Sequence, residues 1–217
     1  MNFSSSFSFS FSNGFVSLIG CHDLIIGSIL NTRLLVLSFI NEKKELTFKA
    51  NSVCLLEDWL KRNDIINMNI ILRMIACITS QIQYLEKQGL SFLGFGLKDI
   101  LVIDDHSFFI VNNEYLMSFD KHNLSIPIMN PFVKPMFSSP EVIELIKLPG
   151  RIFVDSCYYS LGALVVFCLF NEYLFKGNEI KNEKEIETIL KPIALTKMYW
   201  FLKRCFTKKG KRRLLYV

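Results

Sequence analysis

Tyr84–Asn113 reads YLEKQGLSFLGFGLKDILVIDDHSFFIVNN, and the fold of the chain turns on this stretch. It opens on the end of a helix, YLEKQ, which Gly89 closes as a natural residue just past a helix terminus. After an irregular segment come two four-residue runs, Ile100–Ile103 (ILVI) and Phe108–Val111 (FFIV). Both are β-branched or aromatic, and the polar quartet Asp104–Ser107 between them predicts a hairpin. Gly94 and Gly96, in the segment GFG, read as loop glycines that permit positive φ rather than as a phosphate cradle.

Upstream, Asn67–Gln88 is predicted to be a core helix. Ile71, Met74 or Ile75, Ile78, Ile82 and Leu85 recur at three- and four-residue steps and form one apolar stripe. Leu55–Leu60 (LLEDWL) reads as a short helix. Phe15–Cys21 and Arg33–Ile40 are apolar, β-rich runs joined by a loop, and the polar stretch Asn41–Lys49 reads as a hinge or insertion. In the opening MNFSSSFSFSFSN, Phe3, Phe7, Phe9 and Phe11 sit among serines with the period of a strand. An edge strand and a disordered, sticky tail both fit it. Downstream, prolines at 127, 131 and 135 forbid a long helix in Asn113–Ser138. Ser156–Phe170 reads as a buried helix and Glu183–Leu190 as a short one.

With 217 residues at 51% hydrophobic, the chain can bury a sizeable core, and one domain is the natural count. The net charge of +5 gathers largely in Lys203–Arg213, so it reads as a solvated basic end rather than a nucleic-acid site. Six scattered cysteines without a Cys-x-x-Cys pair, and only three histidines, argue against zinc and for free thiols in a reducing compartment. Phe15–Ile40 is apolar but carries His22, Asp23, Asn31 and Arg33, each costly in hydrocarbon. Tyr158–Phe170 is too short for a bilayer, which needs about 20 apolar residues. The N-terminus lacks the basic region and continuous apolar core of a signal peptide.

The order of these elements resembles the protein kinase family. FVSLIGC and RLLVLSFI resemble two small-lobe strands, LLEDWL a short helix after them, and helix, loop and hairpin the catalytic-loop region. Phe137–Ile143 (FSSPEVI) resembles the close of an activation segment, Ser156–Phe170 the central large-lobe helix, and Leu202–Arg213 the family's final arginine motif. The resemblance implies three parts: a low-complexity Phe/Ser N-terminus over 1–13, a small-lobe remnant over 14–50 and a large lobe over 51–217. The fold class it implies is α+β and protein-kinase-like, a mainly α-helical large lobe with a reduced small-lobe β-sheet.

The same resemblance places the family's catalytic aspartate on Gly94, its metal-holding positions on Asp99 and Asn112, and the aspartate that braces the catalytic loop on Cys157. Phe92 and Leu93 stand where the family has histidine and arginine. Phosphoryl transfer depends on a phosphate-holding lysine, metal ligands and an aspartate for the substrate hydroxyl. Glycine cannot orient a hydroxyl, one carboxylate holds magnesium weakly, and the glycine-rich loop and its lysine have no counterpart. The implied function is therefore that of an inactive kinase-like protein, a pseudokinase, serving as a cytoplasmic protein-binding or regulatory module. No cofactor and no metal are expected. The expected partner is a protein, such as a kinase or a kinase substrate or regulator, and not nucleic acid or membrane. Glu141 and Arg213 are expected to form a partly buried, bidentate ion pair that is structural. The alternatives are a divergent active kinase borrowing Asp104, Asp105 or Asp120, and a non-kinase, membrane-associated helical protein.

Overall fold

The computed structural model describes residues 7–63, 66–176, 179–207 and 213. Of the Phe/Ser segment, Phe3 lies outside the described residues, and the part from Ser8 on is a strand: β1 (Ser8–Ser12) pairs antiparallel with β2 (Phe15–Ile19) across Asn13-Gly14. Both turn residues have positive φ, +53° and +76°, the conformation that an Asn-Gly hairpin turn requires. Phe7 and Phe9 lean on the core from this edge.

Between β2 and the next strand lies α1 (Asp23–Asn31), where a loop was expected. Its Ile25, Ile26 and Ile29 are buried, and the His22 Nδ1 accepts the Leu24 N–H at 3.1 Å as an N-cap. β3 (Val36–Ile40) and β4 (Leu46–Lys49) complete a sheet of order β1-β2-β4-β3. The stretch read as a hinge thus supplies an inner strand, because Leu46 and Phe48 alternate with Thr47 and Lys49 and turn their side chains into the core.

β5 (Val53–Leu55) runs directly into α2 (Leu56–Arg62), and then comes α3 (Met68–Lys87), capped by Asn67. The apolar stripe of α3 is buried as its spacing predicts, and Gly89 follows it with φ +83°. β6 (Leu90–Phe92), β7 (Gly94–Phe95) and the hairpin of β8 (Ile100–Ile103) and β9 (Ser107–Ile110) come next. Asp104 and Asp105 turn the hairpin with φ of +50° and +58°. β10 (Leu116–Ser118), β11 (Ser125–Ile128), β12 (Phe137–Ser138), the one-turn α4 (Pro140–Ile143) and β13 (Gly150–Phe153) lead to α5 (Ser156–Phe170). The hairpin β14 (Phe175–Lys176) and β15 (Glu179–Ile180), then α6 (Glu183–Leu190) and α7 (Lys197–Cys205), complete the described chain.

The expected protein-kinase-like fold, with a mainly α-helical large lobe and a reduced small-lobe sheet, is not what the chain forms. Among the described residues about 40% are helical and 26% are in strands, and the strands make several small antiparallel sheets along the whole chain. The physical reason is local. Short runs such as LSF, LMS, SIPI and GRIF, punctuated by Gly, Pro and Asn, are too brief for helices and pair two by two instead: β6 with β10, β11 with β13, β7 with β12. One hydrophobic cluster runs from Val16 to Cys205 through α1, α3, the β8–β9 hairpin and α5, and a smaller one gathers Leu93, Ile126, Ile128, Val142 and Ile152.

Candidate functional site

A 3-10 turn at Leu97–Asp99 sets Asp99 at the foot of β8, 8% exposed. Its Oδ2 accepts the Gly96 N–H at 2.6 Å, and its Oδ1 accepts the Asn112 side-chain amide at 2.6 Å. The Asp99 carbonyl in turn accepts the Val111 N–H at 2.9 Å. Burial lifts the Asp99 carboxyl above the usual carboxylate range, and the Asn112 and Gly96 donors only partly offset this. The structure therefore brings Asp99 and Asn112 together, as a clasp between a loop and the end of β9. Both oxygens already hold protein donors, which is how a structural carboxylate is satisfied. Among the described residues no group of three His, Cys, Asp or Glu is arranged to hold a metal ion.

Gly94, where the kinase resemblance sets the lost catalytic aspartate, stands at a close backbone contact. It sits in β7, opposite Ser138 of β12, with φ +156°. A Cβ there would lie 2.7 Å from the Phe137 carbonyl oxygen and 2.7 Å from Pro135 Cγ. The position is closed to any side chain, so no carboxylate can project from it. Gly96, by contrast, has φ −126° and needs no special conformation. Phe92 and Leu93 are both buried, in the larger and the smaller hydrophobic cluster respectively.

Cys157 is fully buried in the first turn of α5. Its Sγ lies 3.1 Å from the Val154 carbonyl and 3.6 Å from Ser91 Oγ, and burial pushes its thiol well up. It is an inert core thiol. Asp155, two residues before it, reaches Arg213. Its Oδ2 accepts the Arg213 backbone N–H at 3.0 Å, and its Oδ1 lies 3.9 Å from Arg213 Nη1.

Glu141 and Arg213 meet with 2.6 Å between Oε1 and Nη2, their side chains 7% and 4% exposed. The contact is single rather than bidentate, because the guanidinium is shared: Nε donates to the Thr207 carbonyl at 3.0 Å and Nη1 faces Asp155. The Tyr159 ring lies 5.3 Å from Arg213 Cζ. Burial is the largest single influence on the Glu141 carboxyl and would raise it, but the Arg213 charge together with the hydrogen bonds from Arg213 and Ser139 outweighs it, and the net shift is downward. A cleft of about 690 Å³ opens beside the pair. Among the described residues its cations Lys181, Lys203 and Arg213 are matched to Glu172, Glu187 and Glu141, so these three offer a phosphate no spare positive charge.

The remaining candidate carboxylates are also engaged in structure. Asp104 Oδ1 accepts the N–H groups of Asn51 and Ser52, Asp105 accepts the Trp59 indole N–H at 2.7 Å, and Asp120 holds His122 N–H and Asn123. Sequence reasoning missed two buried clasps. Gln81, mid-helix on α3, donates to the Ile110 carbonyl at 2.7 Å and accepts the Ile110 N–H at 2.8 Å. Asn113 likewise bridges the Gly20 carbonyl and the His22 N–H. A polar amide inside an otherwise apolar helical stripe was the available signal for Gln81; none marked Asn113.

Among the described residues no helix is long and apolar enough to cross a membrane. No protein-family model matches the chain, and no curated protein matches its sequence.

Proposed function

We propose that this chain is a catalytically inactive relative of the protein kinases, a pseudokinase, that acts as a protein-binding or regulatory module in the cytoplasm. The reading concerns local motifs, from GFGLKDILV through SSPEVI to Arg213, and not the overall architecture. The observation that carries it is the state of the would-be catalytic positions. Asp99 spends both carboxylate oxygens on Gly96 and Asn112, and Gly94 has no room for a base. Phosphoryl transfer depends on positioning and charge neutralisation, and the engaged Asp99 and the closed Gly94 position support the reading that these two positions supply neither. Six cysteines without disulfides fit a reducing compartment. The partner would be a protein, such as a kinase or a kinase substrate or regulator.

Thermal unfolding of the full chain with and without magnesium and ATP tests this reading against that of a divergent enzyme. An unchanged midpoint is expected. A rise that saturates with ATP and requires the metal would favour the enzyme instead.

A further inference from the structure

We propose that β3 is a docking edge that takes up an extended, apolar segment of a partner protein, flanked by acidic residues, as an added strand. The inference rests on the binding-module reading and gives it a surface. β3 is the outermost strand of its sheet, and all five of its residues are exposed. Val36, Leu37, Phe39 and Ile40 are 61%, 65%, 54% and 51% exposed, with Leu34 just before them at 46%. Among the described residues no hydrogen bond reaches its outer edge. An unpaired, apolar edge of this length is normally shielded by charge, proline, a bulge or a covering element; β3 itself holds no charged residue or proline, no described element covers it, and a bulge is its one irregularity. Its pairing with β4 is bulged between Val36 and Phe39, and Leu37 holds φ +47°, a conformation that a leucine rarely adopts. Strain of that kind persists where it serves a purpose.

The chemistry of the edge selects its occupant. Main-chain N–H and C=O groups in a row are answered by the backbone of another strand. Lipid would leave those groups unsatisfied in hydrocarbon, which disfavours a membrane. Charge refines the choice. Arg33 and Lys43 flank the strand, Lys49 stands opposite Val36 on β4, and Arg73 lines a groove of about 450 Å³ beside Leu34, against Glu42 as the exposed acid at the rim. Of the two further acids nearby, Asp23 pairs with Lys44, and Glu45, which accepts from the neutral Asn41 amide, keeps its charge but leaves the rim net basic. A net basic rim attracts acidic flanks, which steer and orient a partner.

The test uses the full chain and a synthetic peptide of alternating valine and threonine with glutamates at both ends. Amide hydrogen exchange is followed residue by residue, and binding by fluorescence anisotropy. Exchange over residues 36–40 should slow on adding the peptide. Val36→Lys/Phe39→Lys, which changes only exposed side chains, should weaken binding about tenfold or more. If that variant fails to fold, the native chain carries the same comparison: peptides ended by lysines, or with proline for threonine, should bind at least about tenfold more weakly. Protection over residues 146–153 instead, where Ile146 and Phe153 are also exposed, would overturn the inference while leaving a binding module. Absence of peptide binding would overturn it too, and the binding-module reading would still be judged by its own nucleotide test. Protection of residues 36–40 that grows with protein concentration alone would make a second copy the occupant and overturn it. So would attachment to phosphatidylserine vesicles that the double variant abolishes.

Discussion

Two edge strands of this molecule, β9 and β3, are built from nearly the same residues and meet opposite fates. β9 (SFFI) is buried along its whole length, whereas β3 (VLSFI) is exposed along its whole length. The difference lies in what their neighbours supply. β9 has α3 against it, and the Gln81 side chain answers the N–H and C=O of Ile110 as another strand would. Phe108 is further fixed by a T-shaped contact with the Trp59 ring, which Asp105 holds by its indole N–H. β3 lies beyond the core-forming β4 and receives no such cover from the described residues. Composition therefore sets the tendency to form a strand, and the elements packed around the strand decide whether it ends as core or as a surface.

The comparison breaks most readily at two phenylalanines. Phe108→Ala should cost about 3–5 kcal/mol in urea unfolding, and Phe39→Ala less than about 0.5 kcal/mol. Equal losses would mean that β3 is covered after all. Next in size is the clasp that holds the other end of the chain. Glu141→Ala and Arg213→Ala should each cost about 3–5 kcal/mol, since either strands a buried charge. The double variant should cost well below their sum, although Asp155 would still face part of the vacated space. Small, additive effects in that cycle would show the pair to be energetically idle.

Gln81→Leu sharpens the contrast directly. It converts the covered edge into an uncovered one, leaving the Ile110 groups unanswered at about 1–3 kcal/mol. Faster amide exchange at Ile110 should accompany the loss, and an unchanged exchange rate there would contradict the role given to Gln81. The smallest effects are in pH. The Glu141 carboxyl lies below its ordinary value, so its contribution is fully present above the unfolded glutamate pKa of about 4.3 and is lost as pH falls through the folded value. Asp99 is shifted upward, so its contribution is present below the unfolded aspartate pKa of about 3.9 and is lost as pH rises through the folded value. Glu141→Gln should flatten the acid loss of stability and Asp99→Asn should steepen it, read from unfolding midpoints across acidic buffers.

The sequence made the long elements legible and the pairings obscure. The stripe of α3, its Gly89 terminus and the ILVI–FFIV hairpin follow from periodicity and turn chemistry acting over neighbouring residues. α1 was hidden because Asp23–Asn31 carries too few polar residues to show an amphipathic face, and it is nearly as apolar as the strands around it. The four-residue β4 hid in a polar stretch, since only Leu46 and Phe48 face inward. The two-residue β7 and β12 carry no pattern of their own and exist because Gly94 lets the backbones approach. That same approach explains why Gly94, read by alignment as a lost catalytic position, is a packing requirement. Asp99 and Asn112 were picked out by the kinase resemblance, but that their side chains bond each other was not legible, because it depends on the 3-10 turn at Leu97.

Transfer of labelled phosphate from ATP, by the purified full chain with magnesium or manganese, to itself or to a generic protein substrate, tests the absence of catalysis most directly. Incorporation no greater than that of a protein-free control is predicted, with Gly94→Asp remaining equally inert. Transfer above that control by the native chain, lost in Asp99→Asn with the fold intact, would contradict the account.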